Sequence, residues 1–198
     1  YGAYTSLLVE DGGVRGLDLH LARLEAGAIE LFGEPVGEAR LRELMRAALG
    51  DRQAAWLRVS LFSPDIGPRT PDWTGRPRVM IATAPPPPLA ERVRLQVQTH
   101  VRDAAHLKHT ATFPLIRARR LARAAGFDDA LFTDADGRIS EGPLWNIGFV
   151  RGDAHAGLRG HGDRRPRARR RSGSDHPPGP GLAIEPGPGD LGSPFGRC

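Results

Sequence analysis

Cysteine and lysine occur once each in this 198-residue chain, as Cys198 and Lys108. A single cysteine excludes a disulfide framework and makes a reducing cytoplasm the expected setting. A single lysine confines amine chemistry. Of the 28 basic side chains the other 27 are arginine, whose guanidinium stays protonated and cannot act as an amine nucleophile. Covalent imine formation with a carbonyl compound is therefore open only to Lys108 or the terminal amine. The sequence shows no basic-then-apolar leader, and no apolar run approaches the length of a membrane span, so no membrane partner is expected. It opens on Tyr1 rather than methionine, and the natural start is expected upstream or lost to processing.

The net charge is +5 and unevenly spread. Residues 151–198 hold nine arginines and five acids, a net of +4, which leaves +1 for residues 1–150. The body thus carries no electrostatic footprint for nucleic acid.

Residues 1–150 have the patterning of an α/β protein. Tyr4–Val9 alternates as a strand, Asp11-Gly12-Gly13 marks a turn and Val14 resumes a short strand. Leu17, Leu21, Leu24, Ala28 and Leu31 recur at helical spacing, with Asp18 near the start and Gly33 as the stop. A second helix is expected over Glu38–Leu49, ending at Gly50, followed by strands Ala55–Phe62 and Val79–Thr83. Pro85 to Pro88 reads as a stiff connector. Beyond it a strand over Val93–Val101, a helix over Phe113–Ala125, a hairpin with arms Ala130–Thr133 and Arg138–Ser140, and a strand over Trp145–Val150 are expected.

From Arg151 the pattern changes. Gly and Pro supply 18 of the last 48 residues, and Leu, Ile, Phe, Val, Met, Trp and Tyr together only five. That composition predicts disorder. The arginine run from Arg164 to Arg171 could serve as a nucleic-acid arm. The mixture of Arg, Gly, Pro, Ala and His fits better with a GC-rich gene read out of frame, an expectation that resequencing across codon 151 tests.

Lys108 stands on the link between an expected strand and an expected helix, where a side chain can be aimed into a cleft. Glu141 follows 33 residues later in Ser140-Glu141-Gly142-Pro143-Leu144-Trp145-Asn146, and Arg23 lies upstream in His20-Leu21-Ala22-Arg23-Leu24. A lysine, an acid and an arginine are the parts a pyridoxal phosphate site needs: an amine for the aldehyde, a carboxylate for the pyridine nitrogen and a guanidinium for the phosphate. His100, His106 and His109 lack the carboxylate and cysteine companions of a metal set and read as solvated or packing residues, so no metal is expected.

Three segments, Gly2–Gly12 with Leu17–Leu24, His106–His109 and Gly126–Ile147, resemble in order and approximate spacing the class IV (fold type IV) aminotransferases, the group that contains branched-chain aminotransferases, D-amino-acid aminotransferases and aminodeoxychorismate lyases. The resemblance spans nearly all of residues 1–150. It implies a two-domain D-amino-acid aminotransferase-like α/β (α+β) fold with an incomplete second domain. Residues 1–84 would form a small N-terminal domain, 85–88 a proline linker, 89–150 the start of the large cofactor-binding domain and 151–198 the tail. It implies pyridoxal 5'-phosphate as cofactor, amino acid and 2-oxo acid substrates, and a homodimer. By resemblance Lys108 is the Schiff-base lysine, Glu141 the partner of the pyridine nitrogen and Arg23 the phosphate-binding arginine. Asn146 stands near the cofactor's phenolic oxygen, and Tyr4 matches an active-site strand tyrosine of the D-amino-acid enzymes.

The chain also departs from its relatives. Phe113 stands where branched-chain enzymes carry a tyrosine five residues after the lysine. Leu107-Lys108-His109 leans towards the lyases, and Pro143 and Leu144 replace serines frequent in D-amino-acid enzymes. Nothing after Arg151 resembles the family's second phosphate-binding region. The leading expectation is transfer of an amino group between an amino acid and a 2-oxo acid. The alternatives are lyase cleavage releasing pyruvate and a non-catalytic fragment.

Overall fold

A computed structural model describes residues 1–88, 90–151 and 154–157. It divides into two compact units, one of Tyr1–Leu89 with Ala104–Thr112 and the other of Ala90–Asp103 with Phe113–Cys198.

In the first unit the chain runs β1 (Gly2–Glu10), β2 (Gly13–Val14), α1 (Leu17–Phe32), α2 (Glu38–Leu49), β3 (Ala55–Phe62) and β4 (Arg78–Ala84). The strands form one antiparallel sheet in the order β2-β1-β3-β4. Register Thr5↔Val59, Leu7↔Leu57 and Val9↔Ala55 sets one face, because successive side chains alternate across a strand. That face packs on Leu21, Leu24, Ala28 and Phe32 of α1 and on Leu41 and Met45 of α2. Each fully buried Leu or Phe there contributes roughly 1.5–3 kcal/mol of transfer free energy. The other face carries Tyr4, Ser6, Arg58 and Ser60. α1 approaches β1 closely at Gly27, where a Cβ would stand 3.1 Å from that of Ala3. α1 ends at Gly33, whose φ of 83° lets its N–H reach the carbonyl of Ile29. Both helices and β3 occupy the expected ranges, and β4 extends slightly beyond its own.

In the second unit β5 (Leu95–Thr99) and β6 (Asp129–Thr133) pair in parallel, joined through α3 (Phe113–Ala124), and β7 (Gly148–Arg151) pairs antiparallel with β8 (Ala154–Gly157). Parallel strands require such a crossover. Ala130 and Phe132 of β6 pack on Leu115, Ala118 and Ala122 of α3. On the opposite face Leu131 joins Leu95 and Ile147.

Three elements differ from expectation here. The strand expected over Val93–Val101 contracts to the length of its partner β6, register Leu95↔Asp129 through Thr99↔Thr133. The arm expected over Arg138–Ser140 reduces to an isolated bridge, Thr133↔Ile139, because the Asp134 carboxylate captures the N–H groups of Asp136 and Arg138 at 2.9 Å. The last expected strand begins at Gly148, since residues 142–145 close a turn in which the Gly142 N–H donates to the Trp145 carbonyl. The disorder expected from Arg151 onward does not hold at its start, where Arg151 ends β7 and Ala154–Gly157 form β8; the arginine run and the rest of the tail lie outside the described residues.

The connection from β5 to α3 contains Ala104–Thr112, which belongs to the first unit. There it runs beside the first half of β1: Tyr4 N–H donates to the Lys108 carbonyl and Thr110 N–H to the Gly2 carbonyl, both at 2.8 Å. β2 pairs the same strand at its other end, through Val9↔Val14.

Candidate active site

The backbone bonds on either side of His109 fix where Lys108 stands. Leu107 is buried and anchors the segment, and His106 Nε2 lies 2.7 Å from Glu30 Oε1 of α1. Lys108 Nζ then sits 5.4 Å from the centroid of the Tyr4 ring, within the range of a cation–π contact. Tyr4 itself is 5% exposed. Arg58 on β3 stacks over the same ring, 3.9 Å from its centroid. It reaches Tyr4 because Ser6↔Arg58 and Tyr4↔Ser60 place both side chains on one face as diagonal neighbours.

A cavity of about 200 Å³ opens beside this amine, lined by Ala3, Tyr4, Arg23, Gly27, His106 and Lys108 among others. Helical spacing carries Arg23 there: it follows His20 by three residues and so shares a face of α1 with it. His20 Nδ1 and the hydroxyl of fully buried Thr5 share a hydrogen bond of 2.7 Å. Burial, and then the charges of Arg23 and Lys108, push the His20 imidazole below its ordinary range. The lowered imidazole adds little charge near neutral pH, and the positive charge around Tyr4 is carried by Arg23, Arg58 and Lys108. The lining also includes Glu30, whose carboxylate is engaged by His106; with two cations and an aromatic wall beside it, the cavity suits an anionic ligand that bears a carbonyl group.

Glu141 and Asn146 belong to the second unit. Glu141 is half-buried, with Oε1 4.0 Å from Arg102 Nη1, and its carbonyl accepts the Phe132 N–H. It lies at the edge of β6 because the turn at Asp134 folds the chain back there. Gly142 is buried under Trp145, and a Cβ on it would collide with the indole ring. The indole N–H donates to Asp129 Oδ2 at 3.1 Å, while Arg119 Nε holds Oδ1 at 3.1 Å. Asn146 is exposed. The structure thus gathers Tyr4, Arg23 and Lys108 within one unit and places Glu141 and Asn146 in the other. Among the described residues no group of three or more His, Cys, Asp or Glu could hold a metal ion.

Four residues join this picture that sequence reasoning did not single out: Thr5, His20, Glu30 and Arg58. The spacing of His20 from Arg23 was a visible signal. Thr5, Glu30 and Arg58 depend on strand register and on the path of 104–112, which no local pattern discloses.

The family model for class IV amino-transferases matches residues 2–156. The chain belongs to the class IV aminotransferase family. Members of this family depend on pyridoxal phosphate. Solved structures agree on the fold. The branched-chain aminotransferase of the archaeon Thermoproteus uzoniensis superposes with a TM-score of 0.66 at 24% identity, over 78% of this chain and 58% of that one. A Legionella pneumophila protein assigned as a 4-amino-4-deoxychorismate lyase gives 0.63 at 21%, over 78% and 60%. An aminotransferase of Brucella abortus bound to the cofactor PLP gives 0.63 at 21%, over 78% and 59%. The present chain therefore spans roughly three fifths of the length of these relatives. A search of curated proteins returns no match. No helix among the described residues is long and apolar enough to cross a membrane.

Proposed function

We propose that the chain carries the amine-bearing part of a pyridoxal-phosphate site for amino-group transfer between an amino acid and a 2-oxo acid. The observation that carries this reading is the Lys108 amine above the Tyr4 ring, at a cavity that Arg23 also lines. When bound, pyridoxal phosphate supplies an electron sink that acidifies the α-hydrogen of an amino acid.

The chain's own groups then take the following parts. Lys108 holds the cofactor's aldehyde end and moves a proton at its amine nitrogen, the task that no guanidinium in this chain can perform. Arg23 holds the phosphate through charge-assisted hydrogen bonds. His20, its imidazole lowered, adds little further positive charge beside Lys108, and its bond to Thr5 fixes the rotation of α1's second turn against β1. Tyr4 walls the cavity, and Arg58 restrains the tilt of its ring. Glu141 is assigned the pyridine nitrogen and Asn146 the phenolic oxygen, both by family resemblance. The two-domain reading, with residues 1–84 as the smaller domain, and a homodimer belong to the same proposal.

A second reading has its own support. Leu107-Lys108-His109 matches the lyase pattern, and a lyase-assigned protein is among the similar folds. Release of pyruvate and aminobenzoate without an amino acceptor would favour it.

The decisive experiment incubates the full 198-residue chain with pyridoxal phosphate, reduces with borohydride and maps the label by peptide mass. The expected result is a visible absorption band and a stable adduct on Lys108, both absent from Lys108→Ala. An unchanged label in Lys108→Ala, or no band, rejects the proposal.

A further inference from the structure

The first unit has a second cavity, of about 210 Å³, between the β1–β2 hairpin and α2. Its floor is the core face of the sheet, Leu7, Val9 and Leu57, each at most 3% exposed. Met45 and Leu49 of α2 form one wall. Along the other, Gly12 and Gly13 present backbone where most residues would place a side chain. No carboxylate lines the space, and its charged members are Arg42 and Arg46, one helical turn apart. Arg42 is already shared with Glu38 at 2.7 Å. Among the described residues Arg46 forms no ion pair.

We propose that this cavity binds a small organic monoanion, with a phenyl-sized or branched-alkyl body against Val14, Leu17 and Leu49, the half-buried apolar members of the lining, and a carboxylate on Arg46. The site is independent of the cofactor reading. Size and charge select the ligand. The space, about 210 Å³ and open to solvent on one side, matches in size a benzene-class body with a short stem. A guanidinium at the mouth, with no competing carboxylate in the lining, favours a carboxylate in fork geometry and disfavours an amine.

The test is a methyl and amide NMR titration of the full chain with 3-phenylpropionate, with phenethylamine and 3-phenylpropanol as charge controls. Saturable shifts are expected at the Gly12 and Gly13 amides and at the Met45 and Leu49 methyls. The order expected is carboxylate tighter than alcohol, and alcohol tighter than amine. Arg46→Gln should weaken carboxylate binding about tenfold, the scale of a lost charge-assisted pair, and leave the alcohol unaffected. Leu49→Trp fills a half-buried wall position and should abolish binding while the spectrum stays dispersed. Shifts that map elsewhere, equal binding of the amine, or an Arg46→Gln affinity equal to that of the parent would overturn the proposal.

Discussion

The two units solve the problem of burying a sheet in different ways. The first stacks α1 and α2 on one face of a four-stranded antiparallel sheet and closes a single cluster of thirteen buried residues. Its other face is free to carry Tyr4, Ser6, Arg58 and Ser60. The second unit has a two-stranded parallel sheet, which has to be covered on both faces. It divides its apolar residues into a cluster of five buried residues under α3 and one of three on the opposite side. Val97 and Ile116 remain 41% and 51% exposed. An antiparallel sheet can close its own core on one side and offer the other to chemistry, whereas the parallel pair divides a smaller set of buried apolar residues between its two faces among the described residues. The lysine's position reflects this division. It belongs by sequence to the crossover of the second unit and by contact to the first unit, where two backbone groups, the Lys108 carbonyl and the Thr110 N–H, engage β1 on either side of the Ala3↔His109 bridge.

The sharpest way to break this comparison is core truncation. Leu57→Ala should cost about 2–5 kcal/mol in the first unit and Leu131→Ala about 2 kcal/mol in the second, because a small cluster collapses more readily around a cavity. Native-state hydrogen exchange of β3 and β6 amides reads each unit separately. Equal losses would show that the second unit is as tightly packed as the first. Next in size is Gly142→Ala. Its Cβ collides with the Trp145 ring, so the indole has to leave Asp129, at a cost of about 1–3 kcal/mol. The Trp145 indole resonance should shift while β1 and β3 amides stay in place. Movement of both units would mean that they couple.

The smallest effect is a pH dependence of the first unit. The His20 imidazole is held below the unfolded value of 6.5. As pH falls through that value the unfolded chain takes up a proton before the folded one does. Stability therefore declines below pH 6.5 until the folded value is passed, and then levels off. His20→Gln should remove this slope. Lys108→Met should raise the His20 titration midpoint observed by NMR, since the lysine charge is one of the causes of the depression. The second unit has a separate window. Backbone N–H donation from Arg138, the largest cause, depresses the Asp134 carboxyl, so its contribution is present above pH 3.8 and lost as pH falls lower. A His20→Gln slope identical to that of the parent would remove His20 from the electrostatics of the site.

The first unit was largely legible in the sequence. Loose alternation in β1 and clearer alternation in β3, helical spacing in α1 and α2, and glycine stops at Gly33 and Gly50 are local signals, and the unit obeys them. The second unit was less legible. Val93–Val101 alternates over a longer stretch than pairs, and strand length is set by the partner available, among the described residues β6. The polar turn at Asp134 and the packing of Trp145 on Gly142 redirected the segments that follow, through side-chain contacts that periodicity does not encode.

By itself the sequence determined that one amine is available, at Lys108, and that Arg23 and Glu141 stand in family order around it. Residue type and spacing are properties of the chain, and the family match rests on them. Only the tertiary structure decided that the lysine segment would pair with β1, that Tyr4 would take Arg58 and Lys108 at its ring, and that Thr5 would hold His20. Those contacts join residues far apart in sequence. Backbone hydrogen bonding and the register of β1 against β3 fix them, and neither is written in any short window of the chain.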